Sequence, residues 1–274
     1  MKRLVFLCFF LVFSQHEVES SPEDVQTYFY KQLGCIEKEG KVRYFKCPDF
    51  SLKNDSCRFK DQELKVGDSV DKEELKGSCN AACTCTEGGY VACAVYDCFQ
   101  RLKSGCSHFK YTLDSCCPSD SICGPIEECK IDGKTFREGE TLYRENVCEV
   151  CACDVGFKPQ APFCIPRKCY DQAYYQSEIS NYGAPVFYRD DKCCPSSWIS
   201  PEDEKIVKLN TEVLESDVYC KYGNRTVSLG YGFRKPIKLF SRAVPLKCEC
   251  TIPPLVICKE EEVEDNKNST IKTR

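Results

Sequence analysis

Cysteine placement constrains this chain more than any other feature. Two short frames recur, SCCPSDSIC with Cys116, Cys117 and Cys123, and KCCPSSWIS with Cys193, Cys194 and Ser200. They run in step, yet one closes on cysteine and the other on serine. Upstream, Cys57, Cys79, Cys83, Cys85, Cys93 and Cys98 follow the spacing C-x21-C-x3-C-x-C-x7-C-x4-C. Cys129, Cys148, Cys151, Cys153, Cys164 and Cys169 follow C-x18-C-x2-C-x-C-x10-C-x4-C. Each opening cysteine is followed by a related phrase, KDQELKVGDSV or IDGKTFREGETL, where glycine comes after short alternating apolar residues. That pattern suits a hairpin or tight strand pair. The chain carries an internal repeat.

The chemistry open to these thiols depends on compartment. Residues 1–20 read as a secretory signal peptide: Lys2 and Arg3 are basic, Leu4 to Phe13 is unbroken and apolar, and Val18 and Ser20 suit a cleavage site. The apolar run is too short to cross a bilayer, which takes about 20 residues, so a secreted protein with no membrane span is expected. Of the 25 cysteines, Cys8 lies in this segment. The remaining even number, in an oxidising compartment, is expected as disulfides. In a reducing compartment Cys148, Cys151 and Cys153 would raise zinc or iron–sulfur chemistry; here neither metal nor cofactor is expected.

Hydrophobic residues reach 42%, but cysteine supplies 25 of them, leaving a modest stock of ordinary apolar side chains. Small domains short of apolar surface compensate with crosslinks. The expected fold is therefore a tandem of small disulfide-rich β modules, with short antiparallel strands, irregular stapled subdomains and little helix. A net charge of −4 and the lack of a dense Lys/Arg block argue against nucleic acid or heparin as principal partners. Three sequons, at Asn54, Asn224 and Asn268, mark potential N-glycosylation.

The order C…CxxCxC…C-x4-C…C…CC-x5-C resembles the von Willebrand factor type C module, the chordin-like cysteine-rich repeat. The first repeat, 57–123, has all ten of its cysteines, and the second spans 129–200. RYFKCP and KCECTIPP are also similar to insect-type secreted kielin/chordin-like proteins. The resemblance implies pairing of first with fourth, second with eighth, third with fifth, sixth with ninth and seventh with tenth. The implied bridges are Cys57–Cys85, Cys79–Cys116, Cys83–Cys93, Cys98–Cys117 and Cys106–Cys123, then Cys129–Cys153, Cys148–Cys193, Cys151–Cys164 and Cys169–Cys194. Ser200 stands at the tenth position of the second repeat, and Ala184, after Gly183, at the seventh. Both ends of one implied bridge are thus absent together, as that scheme requires. A truncated module at 220–258 retains Cys220–Cys250 and Cys248–Cys258. Cys35 and Cys47 close a loop within an N-terminal segment, 21–56. Residues 201–219, where scattered Val and Leu offer only a marginal helix, are expected as a linker, and 259–274 as a disordered polar tail.

A catalyst is not expected. Beyond the signal there is one histidine, His108, placed between two bridged cysteines. Every cysteine has an implied mate, so no thiol nucleophile remains. Asp190 and Asp191 lack the spacing of a calcium loop. Trp198 is expected to pack on the adjacent cysteine pair rather than to touch a ligand.

By the same resemblance, the expected partner is an extracellular protein ligand of the TGF-β/BMP growth-factor class, bound by apolar residues of a first subdomain and, in some members, an N-terminal clip. Tyr90, Val91, Val95 and Tyr96 are the candidates on the first repeat; the other reading is that they cover the Cys83–Cys93 bridge. Tyr28, Phe29 and Tyr30 are candidates for the clip, although the Cys35–Cys47 loop separates them from the first repeat. The competing class is an extracellular matrix, haemolymph, defence or venom protein built on the same scaffold.

Overall fold

The computed structural model describes residues 24–188, 192–212, 216–239 and 242–261. The signal segment, Asp190–Asp191 and Asn268 lie outside them. Short antiparallel strands in small sheets dominate. Among the described residues the helices are brief: Asp24–Gln32, Lys72–Leu75, Asp171–Tyr174 and Gln176–Ser180. Every cysteine from Cys35 to Cys258 belongs to one of twelve disulfides, and the partners coincide with the pairs set out above.

Local chemistry explains the small sheets. In Glu128–Ile131 alternate residues turn inward, so Cys129 and Ile131 are buried while Glu128 and Lys130 face water. Asp132 and Gly133, at φ +50° and +72°, then turn the chain into Lys134–Arg137. This is the Asp-Gly pair whose twist matches a two-residue hairpin. Ser56–Phe59 and Gln62–Lys65 form the counterpart in the first repeat. Cys57, Phe59, Leu64, Val70, Leu75, Cys83, Cys85 and Val91 make its core. The second repeat's core is Cys129, Ile131, Phe136, Cys151, Cys153 and Cys164.

The missing bridge of the second repeat has a structural counterpart. In the first repeat His108–Lys110 pairs with Asp120–Ile122, and Cys106–Cys123 staples the outer ends of this half-buried ribbon. The corresponding strands of the second repeat, Ala184–Phe187 and Ser197–Ile199, also pair, with Ala184 opposite Ile199. They do not stand alone. Val186 and Phe187 pair in parallel with Cys258 and Lys259, making these strands part of a six-stranded sheet. All of Ala184–Phe187 is buried. An isolated two-stranded ribbon is marginal in water, and added strands with a buried face stabilise it. Burial in a larger sheet stands where the first repeat has a crosslink.

That larger sheet corrects the expectation of separate beads. Its strands come from the second repeat, from Val207–Lys208, and from Tyr231–Leu239, Arg242–Glu249 and Ile257–Glu260. One face packs Ala184, Val186, Ile199, Tyr222, Phe233, Val244 and Leu246 against the Cys220–Cys250 and Cys248–Cys258 bridges. The other packs Phe187, Trp198 and Ile257 against Phe29, Tyr30, Leu33, Phe45 and Leu255. The stretch 201–208 is correspondingly not a free linker. Val207–Lys208 pairs with Tyr231 and Gly232. The Glu204 carboxylate accepts from Tyr222 at 3.0 Å, Lys235 at 3.1 Å and Arg225 at 3.2 Å. Residues 259–261 likewise continue an ordered strand pairing.

The N-terminal aromatics are corrected as well. Phe29 and Tyr30 are 0% exposed, so neither forms a clip. The helix Asp24–Gln32 lays them into the core: Phe29 meets Phe187 edge-on at 5.5 Å, and Tyr30 stacks on Phe45 at 4.7 Å. The Tyr30 phenol donates to the Ile252 carbonyl at 2.7 Å and accepts from the Leu255 N–H at 3.2 Å. Tyr28 packs on the cluster of Cys148, Cys169, Cys193 and Cys194 and donates to the Arg167 carbonyl. It takes the place expected for Trp198, whose indole lies in the aromatic core and donates to the buried Asp171 at 2.7 Å.

Phe29→Ala should lower unfolding free energy by about 3–5 kcal/mol, measured by urea denaturation. Removing the Cys106–Cys123 staple by a double serine substitution should cost about 3 kcal/mol on the chain-entropy account, and should speed hydrogen exchange at His108–Lys110. Alkali gives a third readout. Burial pushes the phenols of Tyr28 and Tyr170 up to about 12. The unfolded chain sheds such protons from about pH 10, whereas the folded chain keeps them until about 12. Stability should therefore fall as pH rises through that window, with tyrosinate absorbance lagging until unfolding.

Candidate functional site

The hairpin Asn80–Cys85 with Val91–Val95 is the most exposed apolar element of the first repeat. Its turn needs Gly88 and Gly89, at φ +85° and +84°. A Cβ at Gly89 would lie 2.7 Å from the Lys53 backbone, because the N-terminal loop rests on the turn. Cys83 stands opposite Cys93 with Cα atoms 4.0 Å apart, the spacing of a pair that exchanges no ladder hydrogen bonds. The peptide groups of Val91, two residues away, therefore also point outward, away from Asn80–Cys85.

Side chains on this hairpin divide sharply. Val91 is 3% exposed and belongs to the core, which removes it from the candidate surface. Tyr90, Val95 and Tyr96 are exposed at 44%, 61% and 56%. The register slips between Asn80 and Ala82, and such irregularities re-aim side chains at a strand's end. Val95 points out where strict alternation would turn it in. Sequence reasoning missed three further residues. Phe99 is 81% exposed and Leu102 40%; the signal was their isolation as apolar residues in the polar loop between Cys98 and Cys106. Tyr174, 55% exposed, comes from the second repeat, and its hydroxyl donates to the buried Asn80 side chain at 3.0 Å.

Tyr174 reaches this place because the second repeat's helices dock along the hairpin's edge. The Gln176 side-chain amide accepts from the Val91 N–H at 2.6 Å and donates to the Val91 carbonyl at 2.9 Å. One side chain thus supplies both bonds that a neighbouring strand would make, closing an edge otherwise open to pairing. Gln172 accepts from the Lys60 N–H, and Tyr170 donates to the Lys76 carbonyl at 2.8 Å.

A shallow cleft runs along this seam, between Asp49–Lys53, Arg58, Glu63 and the helices carrying Gln172, Gln176 and Ile179. Within it Glu63 takes Lys53 at 3.0 Å and Arg58 at 3.8 Å, and Asp49 accepts from Ser51. Hydrogen bonds from Lys53 and Ser56 hold the Glu63 carboxyl below the usual carboxylate range. Two cysteine groupings, Cys98 with Cys116 and Cys117, and Cys151 and Cys164 with Glu149, bring possible donor atoms together. Each sulfur is in a disulfide and offers no thiolate. His108 is half-buried in its strand, with Nδ1 buried and unpartnered. Asn54 and Asn224 are both exposed. No helix among the described residues is long and apolar enough to cross a membrane.

Comparison of the chain with family models, with curated proteins and with solved structures finds no match.

Gln176→Ala should leave both edge groups of Val91 without their partner, at a cost of about 1–3 kcal/mol. Hydrogen exchange followed by mass spectrometry should show the peptide containing Val91 exchanging faster, ahead of the C-terminal sheet.

Proposed function

We propose that this chain is a secreted, non-enzymatic binding protein of the von Willebrand factor type C kind. Its partner in this reading is an extracellular growth factor of the TGF-β/BMP class. The observation that carries it is the outward set of Tyr90, Val95 and Tyr96 on a hairpin too thin to bury them, continued by Phe99. Large aromatic side chains left in water mark partner surfaces, and they are the residue types that dominate binding energy at interfaces. The cysteine order adds support through its resemblance to chordin-like repeats. The twelve disulfides suit an oxidising, extracellular setting.

The chemistry asked of the site is association alone. A rigid hairpin, pinned by Cys83–Cys93 within and by Gln176 at its edge, presents apolar rings without first paying an ordering cost. The buried Val91 holds the hairpin on its core. Tyr96 and Phe99, being exposed, are available to a partner without unfolding.

Titrating the full-length secreted protein against a panel of dimeric growth factors, by surface plasmon resonance, tests this reading. Saturable binding to at least one member is expected, with Tyr96→Ala and Phe99→Ala each weakening it about tenfold or more at unchanged thermal stability. Absence of saturable binding to every member at micromolar concentration overturns it.

A further inference from the structure

The six-stranded sheet contains a charge arrangement that folding does not call for. Arg234 stands directly opposite Lys247, and Lys247 directly opposite Lys259. Side chains so placed share one face, about 5 Å apart at Cβ, and like charges there are destabilising. Alternation confirms the face. Phe233, Val244, Leu246, Cys248 and Cys258 turn into the core, while Arg234, Pro236, Lys238, Ala243 and Lys259 are exposed on the other side. Phe187 and Ile257 lie on that same side, buried in the aromatic cluster with Phe29. The cationic row therefore begins where that cluster's cover ends.

Counter-charge is incomplete. Glu249 pairs with Lys247 at 2.6 Å, and Glu261 with Arg234 at 2.9 Å. Lys259 has no ion pair among the described residues. Partial withdrawal from water lowers its hold on a proton; Glu249 opposes this, and Lys192 and Lys247 add to the lowering. Three cations thus face two paired carboxylates.

We infer that the row Arg234–Lys247–Lys259 is a binding site for a sulfated polysaccharide. The row is linear and lies across three strands, with Arg234 and Lys259 at the surface and Lys247 half-buried between them. It has no apolar centre of the kind a protein interface desolvates. A flexible polyanion needs none, because its affinity comes from successive charge contacts and the release of its counterions. With a net charge of −4, the chain as a whole does not attract polyanions, so attraction must be local. The three cations come from three separate strands. A scan for consecutive basic residues, which argued against heparin above, could not have seen them. This inference concerns a surface other than the first repeat's hairpin and does not rest on the growth-factor reading.

Heparin affinity chromatography and surface plasmon resonance on the full-length protein test it, using immobilised heparin as the probe. Wild type should be retained. Lys259→Gln should weaken binding about fivefold and lower the log–log salt slope by about one, and Lys247→Gln with Lys259→Gln should weaken it further. Lys259→Arg should retain binding, and a control pair on exposed strands elsewhere, Lys65→Gln with Lys134→Gln, should bind as wild type. Inorganic sulfate and desulfated heparin, at matched sulfate or saccharide concentration, should not compete. Near-ultraviolet circular dichroism separates loss of binding from loss of fold for the Lys247 variant, and Lys259→Gln alone decides if that variant misfolds. Three results would overturn the inference: Lys259→Gln binding as wild type, the control pair losing as much, or polyaspartate or DNA displacing the protein as well as heparin does.

Discussion

The phenol of Tyr30 is the contact on which the rest of the architecture hangs. Fully buried, it bonds to the backbone at Ile252 and Leu255, 222 and 225 residues away in sequence. Its helix brings Phe29 onto Phe187 and Trp198, from the second repeat. Three parts of the chain that look independent, the N-terminal segment, the second half of repeat two and the C-terminal subdomain, share one dry interior. Crosslinks staple some strand pairs, such as Cys83–Cys93 and Cys248–Cys258; this interior decides how the larger parts are arranged. A buried phenol with partners stabilises, and one without them costs about 1–3 kcal/mol, so the helix and its socket specify each other.

The two repeats meet by a related device at smaller scale. A sheet edge is a liability because its peptide groups invite another strand. The first repeat solves this with a glutamine borrowed from the second. Gln176 satisfies Val91 in both directions, and Tyr174 arrives with it. The exposed aromatic surface is thereby a property of the docked pair, as Val95 and Tyr96 come from one repeat and Tyr174 from the other.

Much of the local architecture was legible in the cysteines. Their spacing, taken with the resemblance, foretold short antiparallel strands and little helix, because period-two burial beside each cysteine is a local property. What sequence could not show was long-range. Tyr28-Phe29-Tyr30 read as a surface clip, since nothing in SPEDVQTYFYKQLG signals that IPPLVIC supplies its socket. Residues 201–219 read as a linker because Glu204 gives no hint of meeting Tyr222, Arg225 and Lys235. Val91 and Val95 sit in the same short strand, yet a slip of register near Asn80 buries one and exposes the other. The cationic row was invisible for the same reason: sheet register, set by tertiary pairing, brings together lysines that sequence keeps apart.

The joining of the two ends also fixes a timetable. A chain is made from its N-terminus, and the hairpins of the first repeat, with both halves of their bridges close in sequence, can oxidise while synthesis continues. The helix Asp24–Gln32 has no such option. Its socket includes Ile252 and Leu255, so its aromatic face must wait, uncovered, until nearly the whole described chain has been translated. Chaperone demand during folding should therefore concentrate on that short segment, whose large burial event comes only after the much later residues of its socket have been made.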